Sequence, residues 1–211
     1  MDQTQINKRY DWYARIYDVG PFNWLFEKMF FSKWRARILG NLKGKILEVG
    51  VGTGLSFQYY NYASAHVTAV DTSSKMLEKA NHRSIVDKYP VHLKQVKDKL
   101  PFKDDTFDYV ITFCVLCSVA NPIATLQEMA RVCKPKGELI MVEHMLSNNK
   151  IIAFLEKIHN PITKYIWGYN INRDTPKNIE KAGLKITKSK NLALHDVFRE
   201  IHAVKDKIII R

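Results

Sequence analysis

Residues 44–54 read GKILEVGVGTG, a short apolar run that ends in three glycines at alternate positions. No other stretch restricts the fold as strongly. Glycines placed directly after a strand let the backbone pass close to a ligand with no Cβ in the way. The dinucleotide fingerprint G-x-G-x-x-G does not fit, because one residue and not two separates the second and third glycines. The phosphate loop ending in Gly-Lys-Ser/Thr is also missing. Further on, HVTAVD (66–71) reads as a second short strand and ends in an acid, Asp71, 17 residues after the last glycine of the loop. Alone, Asp71 would pass for a helix N-cap. Beside a glycine loop it can accept hydrogen bonds from both ribose hydroxyls of a nucleoside, at the carboxyl edge where open α/β sheets collect ligands.

The pattern around this pair predicts strands at 91–96, within 107–119 and at 138–144. Helices are predicted at roughly 55–62, 73–84 and 121–133, with a turn at Lys134-Pro135-Lys136-Gly137. Strands alternating with helices through 46–144 indicate βαβ units and a parallel sheet. Outside that region the chain changes character. Residues 1–18 are aromatic and weakly helical, and Gly20-Pro21 breaks them from a second helix over 22–39, whose polar stripe is Lys28, Ser32 and Arg35. Residues 149–170 read as an aliphatic, aromatic and basic helix, and 175–183 as a short one stopped by Gly183. LKITKSKNLA and REIHAVKDKIIIR read as two closing strands.

At 211 residues, with 46% hydrophobic and 26% charged residues, the chain suits one domain: an N-terminal helical lid (1–41), a core (42–146) and a closing part (147–211). No apolar run approaches the ~18–20 residues of a membrane span, and the N-terminus lacks a signal peptide's apolar stretch, so the expected location is cytoplasmic. Three cysteines, Cys114, Cys117 and Cys133, are too few for a disulfide scaffold, and no His cluster completes a zinc site around Cys114-x-x-Cys117. The net charge is +12, unevenly spread. Residues 1–45 hold nine Lys/Arg against four Asp/Glu, 46–146 hold eleven of each, and 147–211 hold thirteen against six. Basic flanks attract phosphate, on nucleic acid or on an anionic membrane; solvated lysines are the plainer account.

EVGVGTG (48–54), VTAVD (67–71), LPFKDDTFDYVITFCVL (100–116) and ARVCKPKGELIMVEH (130–144) together resemble the class I S-adenosylmethionine-dependent methyltransferases. The resemblance implies a Rossmann-like α/β fold: a seven-stranded, mostly parallel sheet with an antiparallel last strand, helices on both faces and extra N-terminal helices. It implies that Gly50, Gly52 and Gly54 line the methionine part of the cofactor, that Asp71 binds the ribose, and that Thr72 and Met76 flank the adenine. Asp98 matches an acid near the adenine amine, and Glu48, Val51 and Phe113 complete the expected cofactor set. RYDWYARIYD (9–18) resembles the N-terminal segment of ubiquinone/menaquinone and bacterial phospholipid N-methyltransferases, which makes Tyr10, Tyr13 and Tyr17 candidate lid residues. Leu116-Cys117-Ser118-Val119, Glu143-His144 and PITKYIWGYNINRDTPKNIEKAG (161–183) resemble the small membrane-associated thiol methyltransferase-like proteins.

Methyl transfer from a sulfonium is an in-line displacement in which alignment and desolvation are the protein's main task. The expected catalytic candidates are Glu143 and His144 at the end of the fifth strand, with Tyr13 from the lid. The flanks carry all four tryptophans, Trp12, Trp24, Trp34 and Trp167, interleaved with Lys and Arg, which suits helices at a membrane interface, peripheral to the inner face. The expected acceptor is therefore amphipathic, with phosphatidylethanolamine first, and a small hydrophobic thiol or an isoprenoid quinol as alternatives. A nucleic-acid acceptor would also explain the charge, but the sequence after the fourth strand is CVLCSV and not a tetrapeptide that holds an exocyclic base amine. A non-enzymatic scaffold that only binds the cofactor is the remaining alternative.

Overall fold

The computed structural model describes residues 1–18, 25–97 and 99–206. Seven strands form one sheet: β1 (Gly44–Val49), β2 (Ala65–Asp71), β3 (Val91–Gln95), β4 (Phe107–Phe113), β5 (Cys133–His144), β6 (Leu184–Ala193) and β7 (Phe198–Lys205). Their order is β3-β2-β1-β4-β5-β7-β6. The first five run parallel, and β7 lies antiparallel between β5 and β6. The strand order reverses between β1 and β4, so the loops leaving those two strands diverge and open a crevice at the carboxyl edge.

Alternating side chains divide the core. Leu47, Val110, Leu139 and Met141 face one side, where helix α4 (Pro122–Val132) contributes Leu126 and Met129, and helix α6 (Thr175–Lys181) contributes Ile179. Ile46, Ile111, Ile140 and Val142 face the other, against Trp34, Ile38 and Leu39 of helix α2 (Ser32–Leu39). With both faces covered, the central strands read as continuous apolar runs. Helix α3 (Ser74–Val86) is N-capped by Ser73, and α4 by Asn121 with Pro122 in its first turn. Helix α1 (Gln3–Tyr13) starts from a capping box in which the Asp2 and Gln5 side chains each accept the other residue's backbone N–H.

Three sequence expectations change. The helix expected over 55–62 is a single 3₁₀ turn, Phe57–Tyr59, because Ser56 and Tyr60 both donate hydroxyls to the buried Glu48 carboxylate. The Lys134–Gly137 turn is absorbed into β5, which begins at Cys133 and slips register opposite Phe107 and Tyr109. The helix expected over 22–39 carries a π-helical turn at Glu27–Phe31 before α2; residues 22–24 lie outside the described residues.

Helix α2 is tied to the sheet by a buried charge cluster. Glu200 of β7, 1% exposed at its side chain, accepts from Arg37 and pairs with His202, which also meets Glu138 of β5. Burial pushes the Glu200 carboxyl up, but the hydrogen bonds from His202 and Arg37 outweigh it and hold the group at about 2. The bond to Glu200 in turn raises His202. The stabilisation from Glu200 is complete above an ordinary Glu pKa of ~4.3 and is lost as pH falls towards 2; that from His202 is complete below ~6.5 and is lost as pH rises through its raised value. Glu200→Gln is expected to cost on the order of 2–3 kcal/mol at pH 5–6 and to flatten the acid limb of a urea-denaturation pH series.

Candidate active site

One cavity of about 1040 Å³ occupies the crevice. That is at the top of the ~300–1,000 Å³ span of small-molecule pockets, and leaves room for two ligands side by side. Its floor is the glycine loop after β1, one wall is the turn after β4, and its far end runs under helix α5 (Lys150–Ile166).

Asp71 fixes the loop. Its Oδ2 accepts the Gly52 N–H at 2.8 Å and its Oδ1 the Ser73 N–H at 2.9 Å, so the end of β2 and the glycine loop share one carboxylate. Burial raises the Asp71 pKa, and these N–H donors lower it in part. Gly52 has φ +58°, and a Cβ built there would meet nothing within 4 Å. The backbone thus borders empty space on the cavity side, which is the cradle a nucleoside-bearing cofactor would fill. Gly50 also has positive φ, but there a Cβ would collide with Val115, so its glycine serves close packing against the β4 turn. Gly50, Gly52, Asp71, Thr72, Met76 and Phe113 line the cavity, whereas Glu48, Val51 and Gly54 do not. Asp98 lies outside the described residues.

Helix α1 straps across this floor. Asn7 accepts the Thr72 hydroxyl at 2.7 Å, and Asp11 accepts the Ser73 hydroxyl and the Lys75 N–H. Gln3 accepts the Ala120 N–H. Beyond the helix, Asp18 accepts the Thr53 hydroxyl and pairs with Arg83 at 3.1 Å. Tyr10, Tyr13 and Tyr17 all line the cavity, and Tyr13 packs on Trp167 with ring centroids 5.2 Å apart. The sequence pointed to the tyrosines; the polar latches beside them carried no signal of their own, because each partner is distant in sequence.

Glu143 and His144, adjacent at the end of β5, do different things. Glu143 is fully buried and accepts from Thr112, Val115 and Leu116, which shapes the turn after β4 where Cys114 takes φ +54°. Burial pushes its carboxyl up to about 7, with the N–H and hydroxyl donors opposing. It does not reach the cavity wall. His144 does, flanked by Tyr169 and Phe198, and burial together with the Arg173 charge pulls its ring down to about 4. Its Nδ1 is buried with no hydrogen-bond partner among the described residues. The same holds for Oε1 of Glu156, a wall residue only 7% exposed, whose Oε2 accepts the Ser147 N–H. Sequence reading did not single out Glu156. Burial pushes the thiols of Cys114, Cys117 and Cys133 up. Among the described residues, no group of three His, Cys, Asp or Glu could hold a metal ion.

Residues 47–141 match a family model described as a methyltransferase domain. The chain is 39% identical over 117 residues to a phosphatidylethanolamine N-methyltransferase of Cereibacter sphaeroides, covering 54% of this chain and 57% of that one. It is 35% identical over 149 residues to the rat thiol S-methyltransferase TMT1B (65% and 58% covered), and 32% identical over 144 to a demethylmenaquinone methyltransferase of Tropheryma whipplei (66% and 59%). It therefore spans less than two thirds of the length of these relatives. In fold it is similar to a SAM-dependent methyltransferase from Aquifex aeolicus, with TM-score 0.64 at 17% identity over 96% of this chain and 98% of that one.

Asp71→Ala is expected to weaken S-adenosylmethionine binding at least ~tenfold by calorimetry, since a charged-acceptor bond contributes roughly 1.5–3 kcal/mol, while circular dichroism stays that of the native fold. Unchanged affinity would remove the ribose role. Sheet order, loop, acid and family match agree: residues 47–141 form a methyltransferase domain of Rossmann-like fold, for which S-adenosylmethionine is the indicated cofactor.

Proposed function

We propose that this protein transfers a methyl group from S-adenosylmethionine to an amphipathic acceptor at a membrane surface, with a phospholipid amine such as phosphatidylethanolamine as the substrate. The observation that carries the reading is the acceptor end of the cavity. Apolar side chains of Ile171, Leu194, Val197 and Phe198 line it, and it offers two buried polar atoms without partners, His144 Nδ1 and Glu156 Oε1. Buried polar atoms are normally paired, and an ammonium group that enters with acyl chains behind it supplies both the missing donors and the apolar contact. The 39% identity to a phosphatidylethanolamine N-methyltransferase supports the same reading.

When bound, S-adenosylmethionine supplies a methyl already activated on a sulfonium. The residues of this chain provide alignment, a dry site and proton handling. Gly50, Gly52 and Asp71 hold the ribose and the chain beyond it, and Thr72, Met76 and Phe113 close around the rest. His144 is neutral above about pH 4, so Nδ1 can accept a hydrogen bond from the acceptor nitrogen and orient its lone pair. The entering ammonium first gives up one proton, to this ring or to solvent; the freed lone pair would then form the N–C bond as the sulfonium C–S bond breaks, so the methylated nitrogen is cationic again. Glu156 holds the cationic head, Tyr13 closes the cavity against water, and Glu143 acts as a positioning residue through the β4 turn.

Three acceptors distinguish the readings: phosphatidylethanolamine vesicles, a small alkyl thiol and a reduced quinone, each with radiolabelled S-adenosylmethionine. Label is expected in the lipid; label confined to the thioether or the quinone would overturn the amine assignment. Glu156→Gln is expected to raise KM for the amine by about tenfold, since one lost charge-assisted bond is worth roughly 1.5 kcal/mol. KM for the thiol should stay where it is, and an equal change for both would count against a head-group role.

A further inference from the structure

Helix α5 carries its apolar face outward. At 100° per residue, Ile151, Phe154, Leu155, Ile158, Ile162, Tyr165 and Ile166 fall within an arc of about 120°, and all seven are exposed, Ile151 at 73% and Tyr165 at 77%. The opposite face carries Glu156, the helix's one acid, which is turned into the cavity wall. Lys150, Lys157 and Lys164 are exposed and recur every seven residues along one border of the apolar arc. At the C-terminal end Arg9 donates to the Lys164 carbonyl oxygen and lies over the Tyr165 ring. Helix α5 is 17 residues long, and no helix of the described residues is long and apolar enough to cross a membrane. An arc of exposed aliphatic and aromatic side chains bordered by unpaired-sign cations is the pattern of a helix that lies in a bilayer interface, with its rings at headgroup depth and its lysines at the phosphates.

We propose that α5 is the membrane-docking element of this protein and that its exposed face inserts into the surface of an anionic bilayer. The charge border selects lipid over a second apolar protein face, which would leave the three lysines without anionic partners. The placement also joins docking to the cavity. Trp167, which follows α5, lines the cavity and packs on Tyr13 of the α1 strap. The helix is therefore the partition between bilayer and acceptor site, and its C-terminal end is the rim past which an acyl-bearing acceptor enters without crossing water. This inference builds on the amphipathic-acceptor reading and is tested separately from it.

The test is flotation of the full chain with phosphatidylcholine vesicles, with and without phosphatidylglycerol. Wild-type protein is expected to float with the anionic vesicles and to be released by salt. Two variants, Ile158→Glu with Ile162→Glu, and Lys150→Glu with Lys157→Glu and Lys164→Glu, are each expected to lose binding by roughly tenfold or more, at about 1 kcal/mol per cation near an anionic surface. Calorimetry with S-adenosylmethionine checks that both keep the native cradle. Wild type that stays unbound, or variants that bind as well as wild type, would overturn the proposal. So would a wild-type dimer in light scattering that Ile158→Glu with Ile162→Glu dissociates, since the face would then meet a second copy. Phosphatidylethanolamine methylated in detergent micelles alongside α5-independent flotation would sink the docking role alone. Dependence on α5 without lipid methylation would sink only the acceptor reading.

Discussion

The carboxylate of Glu143 carries the geometry of the carboxyl edge. It replaces the missing ladder where β4 ends, accepting the Thr112 hydroxyl and the N–H groups of Val115 and Leu116. The turn so fixed presses the Val115 side chain against Gly50, which only a glycine at positive φ accommodates. Gly50 starts the loop, and two residues on the Gly52 N–H rests on Asp71. From one buried acid the dependence runs through packing to the loop and through the loop to β2. A carboxyl pushed up to about 7 by burial is the cost of placing that acid beneath the wall.

Much of this was legible in the sequence, and what was not shares a cause. The glycine loop, Asp71, the alternation of strands with helices and the two closing strands depend on local spacing, and the sheet carries the strands, the last of them to Lys205; residues 207–211 of its expected run lie outside the described residues. The 55–62 segment has helical composition, yet its Ser56 and Tyr60 are spent on Glu48, a partner in another element that outweighs propensity. Glu143 beside His144 reads as an acid/base pair. The strand's two-residue period puts the two side chains on opposite faces, and only the histidine meets the cavity. Asn7, Asp11 and Asp18 look like ordinary polar residues of a surface helix and its exit, because Thr72, Ser73 and Thr53 lie at least 35 positions away.

The tryptophans and the basic flanks separate in a similar way. Trp34 is a core residue packed on Phe31 and Phe198, while Trp12 is 62% exposed; Trp24 lies outside the described residues. Among the cations, Arg35 pairs with Glu27, Arg37 with Glu200 and Arg199 with Asp196, all for structure. These three arginines thus serve the fold, and the lysines of α5 provide its outward charge.

The strap formed by α1 has a kinetic meaning. Its hold on the cradle consists of a few hydrogen bonds accepted by Gln3, Asn7 and Asp11, each of a kind worth on the order of 1 kcal/mol net in water. Ile6 is its one deeply buried side chain in an otherwise half-exposed helix. Such an element opens far more often than the sheet beneath it unfolds. The strap touches the loop residues after β2 and the residues after β4 alike, so one opening frees both of these segments together.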